Sequence, residues 1–145
     1  MKKIFIAFAS LLLICGCTKK QDSNCVNIIG KPDIQVQEGR FTPEVMWALG
    51  KMGEKTVSPD GKQIAYTVTY YNMDENKGNA EIYLIPSEGG EATQLTKTAE
   101  SEFNLVWKDD KTLLFCRDNS IMSMDVKSKK EKTLASDVEP GGIEG

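Results

Sequence analysis

The chain has 145 residues, 40% of them hydrophobic and 27% charged, with a net charge of −3 and no histidine. A slight acidic excess with interspersed signs leaves no basic face for nucleic acid. Without an imidazole, no Ser-His-Asp mechanism can be completed within these residues, because nothing is present to take the serine proton and return it to the leaving group.

At the start, Lys2 and Lys3 form a short positive region, followed by an apolar run of eleven residues, Ile4 to Ile14, and by Cys15-Gly16-Cys17. The run suits a secretory signal and is shorter than the about 20 residues of a membrane span. A cysteine directly after a cleavage site, preceded by Gly16, resembles the bacterial lipobox, although Ile14 and Cys15 depart from its usual Leu and small residue. Residues 1–16 are therefore expected to be a lipoprotein signal peptide and Cys17 the lipidated residue; an ordinary secretory signal with an accidental cysteine is the alternative. Several acyl chains on Cys17 would hold the protein on a membrane without spanning it. The expected place is the bacterial cell envelope, facing periplasm or exterior, and loss of two lysines with the signal takes the net charge to −5.

Two further cysteines are Cys25 and Cys116. An oxidising envelope permits a bridge, but a bridge needs Cα atoms roughly 4.4–6.8 Å apart, and Cys116 in its apolar run reads as a small buried hydrophobe. No Cys-x-x-Cys or Cys/His spacing supports zinc, and no metal or cofactor is expected.

Residues 17–40 are polar and mixed, with Gly30-Lys31-Pro32-Asp33 and Glu38-Gly39 as breakers, and read as a disordered tether. The character changes at Phe41. Thr42 can cap a helix with Pro43 in its first position and Glu44 in its first turn. Val45, Met46, Leu49 and Met52 are expected on one side, with Gly50 or Gly53 ending the element. Trp47 is expected to pack on a neighbouring sheet.

From Thr56 the period becomes two. Ser58-Pro59-Asp60-Gly61 has the residues of a type I turn. Gln63 to Tyr71 alternates, with Ile64, Tyr66, Val68 and Tyr70 on one face and Ala65, Thr67, Thr69 and Tyr71 on the other, as a strand does. A polar loop from Asn72 to Asn79 precedes a second strand, Glu81 to Ile85. The turn Ser87-Glu88-Gly89-Gly90 precedes a third, Glu91 to Thr96.

The pattern then recurs. Ser58 to Tyr66 can be laid over Trp107 to Phe115 at a separation of 49 residues, and Ile82-Tyr83-Leu84-Ile85 over Ile121-Met122-Ser123-Met124 at 39. Gly89-Gly90 corresponds to Ser128-Lys129-Lys130 before Glu131 to Ala135. Two units of about 40–45 residues, each strand, turn, strand, turn, strand, are the mark of propeller blades. The expected fold is all-β: an incomplete β-propeller of about two blades of antiparallel sheet in residues 41–145, preceded by the short helix and the tether.

Several motifs together resemble the start of the prolyl oligopeptidase family, in its acylaminoacyl-peptidase and bacterial dipeptidyl-peptidase branch. They are Thr42-Pro43-Glu44, Trp47 with Leu49-Gly50, Val57-Ser58-Pro59-Asp60-Gly61-Lys62 followed by Ile64-Ala65-Tyr66-Thr67, and Ile82-Tyr83-Leu84-Ile85-Pro86 leading to Gly89-Gly90-Glu91 and Gln94-Leu95-Thr96. The resemblance covers roughly residues 41–135. It implies a propeller of seven or eight blades joined to a catalytic α/β-hydrolase domain, with peptide substrates from whose N-termini dipeptides or blocked residues are removed. In that scheme this segment is the N-terminal part of a longer protein, acting as a substrate gate and packing on the hydrolase domain. Two blades cannot close a ring and would leave both outer faces open.

Other chemistry is poorly supported. No Gly-x-Ser-x-Gly elbow occurs, and Ser58 belongs to a turn. Asp74, Asn76 and Gly78 imitate a calcium loop, but Asn79 stands where Gly is needed and Ile85 where the closing Glu belongs. Asp109-Asp110 and the pair Glu100 with Glu102 read as solvent-facing turn residues, and Gly89-Gly90 as a hairpin turn. Tyr66, Tyr70, Tyr71 and Tyr83 are expected between blades. The sequence thus assigns no catalytic residue. The alternative readings are a non-enzymatic TolB-like propeller lipoprotein that binds protein or glycan, and a truncated product without function.

Overall fold

The protein is described here by a computed structural model, over residues 28–34 and 36–138. The expected signal peptide, Cys15, Cys17 and Cys25 lie outside the described residues. Helix α1 (Pro43–Ala48) starts as its residues require: the Thr42 side chain accepts from the Val45 N–H at 3.4 Å, and Pro43 stands where no N–H is needed. It stops earlier than expected, because Leu49 is already extended (φ −70, ψ 129). Six residues are too few to bring Leu49 and Met52 round to the face of Val45. Only Val45 is therefore buried, while Met46, Leu49 and Met52 stay exposed. Gly50 does not end the helix either. It lies where a Cβ would come within 2.5 Å of Val68 Cγ1, so the chain passes close over the sheet there.

The first sheet holds four antiparallel strands in sequence order: β1 (Lys51–Val57), β2 (Gln63–Asn72), β3 (Lys77–Pro86) and β4 (Thr93–Gln94). The second repeats the arrangement with β5 (Glu102–Trp107), β6 (Thr112–Arg117), β7 (Ser120–Asp125) and β8 (Lys130–Ala135). The molecule is thus mostly β-sheet, as the alternation implies. Each sheet has one strand more than the three per unit read from the sequence, the additions being β1 and β5. Conversely, the expected strand Glu91 to Thr96 shrinks to two residues. The Leu95 and Thr96 N–H groups both donate to the Ile82 carbonyl, which ends the ladder and turns the chain toward the second sheet.

The registers reproduce the repeat. Ile64 pairs with Ile85 in the first sheet and Leu113 with Met124 in the second, so equivalent residues are 49 apart in one strand and 39 apart in the next. Both leading strands carry an irregularity at matching places, between Met52 and Lys55 and between Phe103 and Val106, each pair displaced by 51. In β1 the Thr67 hydroxyl fills the gap by accepting from the Glu54 N–H at 3.0 Å.

The two sheets share one core. Ala65 and Ile82 from the first meet Leu105, Leu113, Phe115, Met122 and Met124 from the second, with half-buried Leu84 and Trp107 packed against them. Fully burying a side chain such as Phe115 or Leu113 contributes about 1.5–3 kcal/mol each. Polar ties cross the junction: Trp107 Nε1 donates to the Thr56 carbonyl at 3.3 Å, and the Leu105 N–H to Glu54 Oε2 at 3.2 Å. Because side chains alternate, Tyr66 and Tyr83 point to the opposite face of the first sheet, where their rings stack at 5.8 Å. These two tyrosines therefore do not lie between the two sheets described; they occupy the face equivalent to the one by which the second sheet meets the first.

Part of the stretch read as a free tether lies against that outer face. The Ile29 carbonyl accepts from Asn79 Nδ2 at 3.4 Å, and Ile28 to Lys31 close a small cavity with Tyr70 and Tyr83. Burial, then the neighbouring Tyr70, pushes the Tyr83 hydroxyl up to about 12. No helix among the described residues is long and apolar enough to cross a membrane.

Candidate functional site

The Ser58 turn forms as its residues predict, and its hydrogen bonds show how the Ser58 hydroxyl is held within the turn. The Gly61 N–H donates to the Ser58 carbonyl at 2.8 Å, and Gly61 takes φ 73, the left-handed region that glycine occupies at no cost. The Ser58 hydroxyl is buried; it donates to Asp60 Oδ1 at 2.7 Å and accepts from the Gln63 N–H at 3.0 Å. Asp60 Oδ1 also accepts from the Lys62 N–H. These bonds hold the Asp60 carboxyl below the usual range, the Ser58 hydroxyl contributing most. The equivalent turn in the second sheet uses Asp109, which accepts from the N–H groups of Lys111 and Thr112 and is held low for the same reason. The turns touch where the Asp60 N–H donates to Asp110 Oδ1 at 2.9 Å.

Beside this contact opens a cleft of about 980 Å³ between the two sheets, lined by Asp60, Asp110, Lys111, Asp125, Lys127 and Leu84 among others. Its walls carry both signs of charge, suited to holding a polar solute by ion pairs and hydrogen bonds. The serine that lines it, Ser128, is paired with the Asp125 carboxylate, and no imidazole is present to serve as a base. Asp125 is already engaged, accepting from the backbone N–H and hydroxyl of Ser128, which hold it low.

The remaining residues singled out from the sequence occupy structural positions. Asn72 Oδ1 accepts from the N–H groups of Asp74 and Glu75 in the tight β2–β3 turn, and Gly78 lies within β3, so the imitation calcium loop is a hairpin. Among the described residues no group of three His, Cys, Asp or Glu is placed to hold a metal ion. Gly89 and Gly90 turn the chain after β3 at φ 92 and 127. Trp47 packs edge-on to Tyr71 at 5.5 Å, with the Lys51 ammonium 4.0 Å from one ring and 4.5 Å from the other. Cys116 is buried and has no disulfide partner among the described residues.

Glu102 corrects the sequence reading most sharply. Far from being a solvent-facing turn residue, it is 1% exposed at the start of β5. Its Oε1 accepts from Arg117 Nε at 2.7 Å and the Thr98 hydroxyl at 2.8 Å, and its Oε2 from the Thr96 hydroxyl at 2.7 Å. Arg117 also makes a forked pair with Glu131 at 2.7 and 2.9 Å, which with Glu102 holds its proton still more firmly. A second buried carboxyl, Glu81, stands beside it, its Oε1 accepting from the Thr98 N–H at 2.8 Å and from Asn79 Nδ2 at 2.9 Å. No motif announced Glu81. Its one sequence signal is an acidic residue at an alternating position inside a strong strand pattern.

Comparison with known proteins gives a local likeness. The chain is 31% identical over 70 residues to dipeptidyl-peptidase 5 of Porphyromonas gingivalis, covering 48% of this chain and 10% of that protein. It is 28% identical over 82 residues to dipeptidyl-peptidase 5 of Porphyromonas endodontalis, covering 56% and 12%. No protein-family model matches. The matched region spans about a tenth of the length of these relatives, and the likeness supports a peptidase-related segment built of two antiparallel sheets.

Proposed function

We propose that residues 41–145 are the first blades of a β-propeller in a larger envelope serine peptidase that removes dipeptides or blocked residues from oligopeptides. The propeller serves as a gate admitting small, unfolded substrates. The observation that carries this reading is the direction in which the sheets stack. Tyr66 and Ile64 of the first sheet are equivalent, at the 49-residue offset, to Phe115 and Leu113 of the second. Those two residues of the second sheet are buried against the first, whereas Ile64 and Tyr66 face away from the junction. Each unit thus offers one face to the unit before it and the other to the unit after it. Such head-to-tail stacking does not terminate by itself and ends only when a ring closes or a cap covers the last face. The local likeness to two dipeptidyl-peptidases ties the stacking to peptidases and gives the TolB-like alternative no support.

In this reading the nucleophile, acid and base come from an α/β-hydrolase domain outside these residues, and lipid on Cys17 holds the enzyme at the membrane. The test is release of a fluorophore from dipeptidyl amides by the full-length gene product, with and without a serine-directed phosphonofluoridate. Dipeptide release abolished by the reagent is expected; no release from free or blocked peptides would sink the proposal.

A further inference from the structure

The stretch from Leu95 to Ser101 carries the chain from the first sheet to the second and is tied down by side chains instead of a ladder. The Thr96 hydroxyl accepts from the Ile82 N–H at 2.8 Å, and the Ser101 hydroxyl from the Ala80 N–H at 3.1 Å. Thr98 links both buried carboxyls, its N–H donating to Glu81 Oε1 and its hydroxyl to Glu102 Oε1. Donors are unequally shared between the two. Glu102 has the Arg117 guanidinium and the Thr96 hydroxyl, with the Thr98 hydroxyl shared between it and the Glu100 carbonyl, and is satisfied as a carboxylate. Glu81 is equally buried, yet its Oε2 has no hydrogen-bond partner among the described residues. An ionised carboxylate oxygen in that position would be costly, whereas a protonated one can donate.

We propose that Glu81 and Glu102 hold one proton between them, carried on Glu81, and that the single negative charge so left lets the crossing strap lie closed over the sheet junction. The junction is therefore pH-sensitive: it loosens when rising pH removes the proton to solvent and leaves two buried negative charges against one guanidinium. Burial raises the Glu81 carboxyl above its usual range, and the adjacent Glu102 carboxylate adds to this against the opposing Thr96 and Thr98 bonds. Among the described residues, the other titratable groups around the pair are Arg117 from β6, its second partner Glu131 from β8, Tyr83 from β3, Tyr70 from β2, and Lys31 and Lys97 at the cavity beside Glu81. None of these supplies a donor to Glu81 Oε2. The inference is independent of any peptidase activity.

The sign follows from linkage. A carboxyl raised in the folded state gives stability that is complete below its unfolded value and is lost as pH rises through its folded value. Glu81→Gln keeps a donor in place of the acid proton and cannot ionise. Exchange of the Ile82 and Ala80 amides is to be followed in the full chain from pH 5 to 9, corrected for intrinsic rates. Wild type should lose protection at these amides by ~tenfold for each pH unit between the unfolded and folded values and level off above the folded value, while Glu81→Gln stays flat. Parallel profiles, or a flat wild type, would overturn the proposal. Should Glu81→Gln not fold, infrared spectra of wild type with carboxyl-labelled glutamate decide. A protonated carboxylic acid band at neutral pH is expected, and its absence refutes the shared proton.

Discussion

Glu102 and Arg117 show how much of this structure depends on single buried charges. The Glu102 side chain is fully buried and that of Arg117 is 16% exposed. Removing one member of such a pair strands the other, at a cost of about 3–5 kcal/mol. Arg117→Met should lower urea stability by that order, and adding Glu102→Gln should restore much of it; an additive double variant would show that the pair is not coupled. Ser58 is a different case. Ser58→Ala removes an acceptor for the half-buried Gln63 N–H and a donor to Asp60, and should cost about 1–2 kcal/mol. In the full-length protein it should leave the rate of peptide cleavage unchanged, which a nucleophile would not. The role of Ser58 was legible from its turn residues. That of Glu102 was not, because its burial is produced by partners 4–15 residues away that meet only once both sheets have formed.

At the level of elements, the well-read pieces are those whose signal is local. Thr42-Pro43 announces α1, the Ser58 turn announces β2, and alternation over Gln63 to Tyr71 fixes both faces of that strand. β1 escaped because Lys51 to Val57 is exposed almost throughout, so it shows no apolar alternation. Its pairing with β2 comes from backbone hydrogen bonds, which any sequence can supply. The turns make their own prediction. Asp60, Asp109 and Asp125 are all held below their ordinary value by N–H or hydroxyl donors. A carboxyl lowered in the folded state gives stability present above its unfolded value, here 3.8, and lost as pH falls through the folded value. Melting curves of Asp109→Asn should therefore converge on wild type as pH drops below 4 and separate above it. A constant gap at all pH values would contradict the role given to these donors.

Across the whole molecule, the repeat offsets of 49 and 39 were readable from sequence and are the registers found. The placing of the tyrosines was not, since which face of a strand meets its neighbour depends on how the sheets stack. Phe115 lies at the centre of that stacking, and Phe115→Ala should destabilise by about 3–5 kcal/mol. A loss below 1 kcal/mol, read by chemical denaturation, would mean that the sheets do not share the core described. Membrane attachment is tested separately in whole cells. Cys17→Ser should abolish incorporation of labelled fatty acid and release the protein to the soluble fraction; unchanged fractionation would remove the anchor from the account.

The central claim, that these two sheets open the propeller of a serine peptidase, is tested most directly by sequencing the encoding DNA beyond the codon for Gly145. The account predicts an open frame with further units like that of Ser58-Pro59-Asp60-Gly61, then a Gly-x-Ser-x-Gly elbow followed by Asp and His. Further units with no elbow, or a stop with no units at all, would contradict it.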